Sequence, residues 1–141
     1  MELPCRRFGR TNLNMPVLSL GGMRFQKSWD ELKFSDILQK EQNKVENILN
    51  LANKFGFNHI ETAKYYGTSE IQLGMAFKSI KKIPKIIQTK IPPNRDPKLF
   101  EAELLKSFDK LQVKKIDLLA IHGINSPEHL HLAVKDGGCI D

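Results

Sequence analysis

A chain of 141 residues can form one ordinary domain with its own core. Its 40% hydrophobic and 27% charged residues are the balance of a soluble globular protein. The formal charge of +6 comes from 22 dispersed Lys and Arg residues, and no basic run is interleaved with aromatics, so a nucleic-acid surface is not expected.

The first residues, Met1 to Arg7, lack the apolar stretch of a signal peptide. Cys5 to Phe8, a turn at Gly9 and Leu13 to Met15 predict a short hairpin. Pro16 to Gly22 reads as a short buried strand running into a glycine-rich loop. Met23 to Gln39, which carries the single Trp29, reads as a long loop, and such loops in compact domains are often functional. Val45, Ile48, Leu49, Ala52 and Phe55 fall at helical spacing and predict an amphipathic helix over Glu41 to Phe55, with Gly56 past its end.

Asn58 to Glu61 is the second expected strand of the main fold, and Ser69 with Gln72 predicts a capping box for a helix reaching about Phe77. Ile86 to Lys90 makes a third strand, stopped by Pro92-Pro93. Asp96-Pro97 opens a helix whose inner stripe is Phe100, Leu104, Phe108 and Leu111. Ile116 to Ile121 is the fourth strand, apolar except for Asp117, and Ser126-Pro127 starts a last helix. The pairs Lys81-Lys82 and Lys114-Lys115 sit where helices hand over to strands and read as solvated turns. No window approaches a membrane span. Cys5 and Cys139, far apart and without metal-ligand spacing, read as thiols of a reducing compartment, so a cytoplasmic location and no metal site are expected.

Strand and helix alternate four times, and the strands are apolar on both faces. That pattern belongs to a parallel sheet covered by helices, with all strand C-termini on one side. A doubly wound sheet fits the same order, but no G-x-G-x-x-G follows the first strand. The other solution is a (β/α)8 barrel. Such a barrel needs about 250 residues, so the expected fold is partial: an N-terminal hairpin and about the first four β/α units.

Three side chains close successive strands: Tyr66 just beyond the second, Lys90 on the third and His122 on the fourth. Taken singly, the tyrosine is a packed surface ring, the lysine a solvated strand end and the histidine a hydrogen-bonded core residue. His59, inside a strand, keeps that core reading, and Tyr65 reads as packing. Taken together with the carboxylate of Glu61, the three suggest a proton-donating site on the C-terminal face of a barrel.

The order of motifs resembles the aldo/keto reductase family over nearly the whole chain. Glu61-Thr62-Ala63-Lys64-Tyr65-Tyr66-Gly67 is similar to the family's Asp-Thr-Ala-x-x-Tyr-Gly, and it is followed by Lys90 and His122. Gly67 to Gly74 is similar to Gly-x-Ser-Glu-x-x-x-Gly, and Phe8-Gly9-Arg10-Thr11 with Pro16-Val17-Leu18 to the family's opening. The resemblance implies that hydride passes between NADP(H) and an aldehyde or ketone. Tyr66 would be the general acid, Lys90 would stabilise its phenolate, Glu61 would hold Lys90, and His122 would orient the carbonyl. The departure is Glu61 in place of the usual Asp, one methylene longer, so its pairing with Lys90 is expected to require a shifted backbone.

Gly22, Met23 and Arg24 would touch the nicotinamide end of the cofactor, whereas the family's phosphate contacts come mostly from the second half of the barrel. Residues 1–141 are therefore expected to be the N-terminal part of a reductase domain, truncated and on its own not competent. The alternative is a shortened, non-catalytic binding or regulatory module, or a half-barrel that assembles with itself through its open sheet edges.

Overall fold

Residues 3–140 are described by a computed structural model. The chain opens with strand β1 (Cys5–Arg7), which pairs antiparallel with β2 (Asn14–Pro16), Arg6 lying opposite Met15. Gly9 turns this hairpin at φ +56°, a conformation most side chains resist. The main sheet is made of β3 (Leu20–Gly21), β4 (His59–Glu61), β5 (Ile86–Ile91) and β6 (Leu118–Ile121). All four are parallel and lie side by side in sequence order, β3-β4-β5-β6. Parallel neighbours need crossovers, and the helices supply them: α1 (Gln39–Lys54), α2 (Ser69–Ser79) and α3 (Pro97–Leu111), with α4 (Pro127–Val134) after the last strand.

The core lies between the sheet and the helices. Ile60 and Ile87 point from the strands into Val45 and Leu49 of α1, Leu73, Ala76 and Phe77 of α2, and Leu111 of α3. Leu49, Ile60, Leu73, Ile91 and Leu111 are essentially inaccessible to solvent. Each such side chain stabilises the fold by about 1.5–3 kcal/mol relative to exposure. Helix α2 is sandwiched between its neighbours and buries polar as well as apolar residues. At Gly74 a Cβ would overlap the backbone carbonyl of Lys110, so the missing side chain is what lets α2 and α3 approach.

Several expectations shift. The strand expected over Pro16 to Gly22 is only Leu20–Gly21, because Pro16 belongs to the hairpin and Val17 and Leu18 are exposed in the bend between the two sheets. The apolar stripe of α1 narrows to Val45 and Leu49 joined by buried Gln42, while Ile48 and Phe55 face outward. Thr68, not Ser69, precedes α2, and no side-chain cap forms there: Thr68 Oγ1 donates instead to Gln72 Oε1 at 2.8 Å. Asp96 and Ser126 do cap α3 and α4, accepting from the amides of Lys98 at 2.9 Å and His129 at 3.2 Å.

Candidate active site

The C-terminal ends of β4, β5 and β6 place the candidate residues. Glu61 is the last residue of β4 and pairs in register with Gln88; Lys90 lies two residues further along β5, hence on the same face. Beyond β4 the chain still follows β5, Thr62 donating its amide to Gln88 and Lys64 to Lys90. A turn closed from the Tyr66 amide to the Ala63 carbonyl then swings Tyr66 back over the strand end. His122 immediately follows β6, its amide bonded to the Ile91 carbonyl at 2.8 Å. Residues as far apart in sequence as Glu61 and His122 thus meet at one strand-end cluster.

The cluster is tightly connected. The Lys90 ammonium donates to the Tyr66 hydroxyl oxygen at 2.8 Å and to the Thr62 carbonyl at 3.3 Å, and it pairs with the Glu61 carboxylate. It also sits 4.4 Å from the centre of the Tyr66 ring. The imidazole of His122 packs edge-on against that ring, with centroids 5.6 Å apart. Glu61 reaches Lys90 without disturbing the β4–β5 register, so the longer carboxylate needs no backbone shift. The side chain opposite it on β3 is absent, because that residue is Gly21.

Burial and charge set the protonation states. Burial pulls the Lys90 ammonium below the ordinary lysine range, while contact with Glu61 acts to keep it charged. Burial also lowers His122, and the Lys90 charge lowers it further, so the imidazole is neutral at pH 7. Its Nδ1 is buried without a hydrogen-bond partner. A neutral ring can donate one N–H to an incoming oxygen.

Of the three residues expected at the nicotinamide, Gly22 is engaged by the fold. It donates to the Glu61 carbonyl at 2.6 Å, its own carbonyl accepts from Ser69 Oγ at 2.8 Å, and a Cβ would sit 3.0 Å from both partners. Met23 and Arg24 are exposed and free to touch a ligand. His59 is buried, with Nδ1 2.7 Å from Ser19 Oγ, as a core histidine should be.

Two features were not legible from motif spacing. Tyr65, read as packing, is more than half exposed, with its ring 5.8 Å from that of His122. The loop carrying Trp29 is pinned to the Tyr66 turn: Thr68 donates its amide to the Ser28 carbonyl at 3.1 Å, and the Lys27 amide donates to Thr68 Oγ1 at 2.6 Å. These contacts span some forty residues, and no local sequence signal announces them.

Comparisons with known proteins bear on the family and the fold. The family model described as the aldo/keto reductase family matches residues 17–135. A Pseudomonas aeruginosa protein assigned to the aldo-keto reductases is 23% identical with a TM-score of 0.74, over 92% of this chain and 52% of its own. A thermostable aldo-keto reductase solved with the inhibitor epalrestat is 25% identical (TM-score 0.65; 94% and 50% covered). The holo form of an aldo-keto reductase from Bacillus halodurans is 19% identical (TM-score 0.69; 98% and 48% covered). Among curated proteins none matches. The chain spans about half the length of these structures, and its sheet is a partial (β/α)8 barrel of the same kind. On the family match over most of its length, the chain belongs to the aldo/keto reductase family.

Proposed function

We propose that this segment carries the proton-donating machinery of an NADP-dependent reductase acting on a small aldehyde or ketone. The observation that carries the reading is the Lys90 ammonium 2.8 Å from the Tyr66 hydroxyl oxygen. Because lysine can only donate, it occupies a lone pair of the phenol and leaves the O–H free to donate to a substrate oxygen. As that proton leaves, the adjacent ammonium stabilises the phenolate, and Glu61 fixes the ammonium in place. His122, neutral and edge-on to the ring, offers the second donor to the carbonyl. NADPH supplies the hydride when bound. The exposed Met23 and Arg24 suit its nicotinamide end.

In catalytically competent protein carrying this segment, Tyr66→Phe should reduce NADPH-dependent aldehyde turnover by about 10²–10⁴-fold, the usual contribution of a general acid. Cofactor affinity should be unchanged. Retained turnover would show that another group donates the proton.

A second reading is supported by β3 and β6, which end the sheet with unpaired edges. They favour closure by a further half-barrel, whether continuing chain or a second copy; without it the segment is a binding module and not a catalyst. Both readings are of a protein acting in the cytoplasm on small molecules, without nucleic acid or membrane. No helix among the described residues is long and apolar enough to cross a membrane.

A further inference from the structure

At the opposite end of the sheet from Tyr66, the hairpin and the N-terminal ends of β4 and β5 enclose a cleft of about 680 Å³. That is the size of pockets that hold small metabolites, about 300–1,000 Å³. Four lysines line it: Lys54 from the end of α1, Lys82 and Lys85 from the α2–β5 loop, and Lys115 before β6. The cleft contains one carboxylate, that of Asp117, and it is already committed. Asp117 pairs with Lys115 at 2.5 Å and accepts from the Ile87 amide at 2.9 Å. Lys54, Lys82 and Lys85 have no acidic partner among the described residues.

Lysines at helix C-termini ordinarily answer the negative end of the helix dipole and point into bulk water. Here three lysines without an acidic partner among the described residues line one cleft, where a concave surface concentrates the field of their charges on whatever enters. A second observation points to a ligand with more than charge. Asn58, in the same wall, holds its amide oxygen buried and without a hydrogen-bond partner. An unprotonated phosphate oxygen cannot satisfy an acceptor, but a hydroxyl can. The neighbouring Asn53 is used differently: its amide nitrogen donates to the Lys82 carbonyl at 2.7 Å and holds the lysine loop against the end of α1.

We propose that this cleft binds a small phosphorylated polyol, with phosphate on Lys54, Lys82 and Lys85 and a hydroxyl on Asn58. The site is independent of the chemistry at Tyr66 and stands or falls without it.

The test is an NMR titration of the isotope-labelled chain with ribose 5-phosphate, with inorganic phosphate and ribose as controls. Saturable shifts are expected at Asn53, Asn58, Lys82 and Lys85, with ribose 5-phosphate binding more tightly than phosphate. The double variant Lys82→Gln, Lys85→Gln should weaken binding about tenfold or more. Asn58→Ala should bring ribose 5-phosphate down to the affinity of phosphate. Lys98→Gln, an exposed lysine on α3 outside the cleft, should change neither. Shifts that spread over all lysines without saturating, or that survive the double lysine substitution, would overturn the site. Equal binding of phosphate and ribose 5-phosphate by the unaltered chain would overturn the polyol assignment.

Discussion

Glu70 shows how a single buried charge constrains this fold. Its side chain, carried by α2, is almost wholly buried, and Oε1 accepts from Thr89 Oγ1 of β5 at 2.7 Å, while Oε2 has no partner. Burial raises its pKa, opposed by the hydrogen bond from Thr89. A raised carboxyl means that the folded state holds its proton where the unfolded chain, titrating near 4.3, has released it. The Glu70 contribution to stability therefore falls as pH rises above about 4. Glu70→Gln keeps an acceptor for Thr89 and removes the charge. Urea unfolding should show the variant gaining on the parent chain between pH 5 and pH 8; a difference that does not vary with pH would contradict this account. At this scale the sequence was informative where chemistry is carried by residue type: Tyr66, Lys90, His122 and Glu61 meet as their order suggested. Tyr65, read as packing, is exposed, because exposure beside His122 depends on how the turn is folded and not on which residues form it.

At the scale of elements, the alternation of strands and helices was readable from periodicity and punctuation. Asp96-Pro97 and Ser126-Pro127 start helices, and Gly56 follows α1 at φ +82°. The misreadings occurred where an element touches something distant. Thr68 at the start of α2 is engaged by Gln72 and by the Lys27 amide, so the local cap expected at Ser69 does not form; Ser69 instead bonds the Gly22 carbonyl. Ile48 sits at helical spacing on α1, yet it is exposed. The junction between the Tyr66 turn and the Trp29 loop depends on Gly67, at φ +51°, where a Cβ would collide with the backbone of Ser28 and Trp29. Gly67→Ala should cost about 1–3 kcal/mol in backbone strain alone, read as a lower urea midpoint with far-UV circular dichroism unchanged. Parental stability in that variant would mean that the loop is not docked there.

For the whole molecule the governing fact is an open sheet. Four parallel strands in sequence order make a partial barrel, with β3 and β6 unpaired on their outer edges. Barrels of this class often bind phosphate at loops after their last strands, which lie outside these four. Residues 1–141 alone should therefore show no saturable NADPH binding at micromolar concentration in a fluorescence titration. Micromolar affinity at low protein concentration would contradict the proposal that cofactor binding needs more than these four strands, whereas affinity emerging only as protein concentration rises would mark closure by a second copy.

Whether one ammonium, one phenol and one imidazole share a single place can be tested in the isolated chain, by following the His122 ring through a pH titration by NMR. The structure requires a midpoint below the ordinary histidine range that moves up on Lys90→Met, because removing the lysine charge removes one of the two causes holding it down. An ordinary midpoint, indifferent to the loss of Lys90, would place the two residues apart and contradict the proton-donating site.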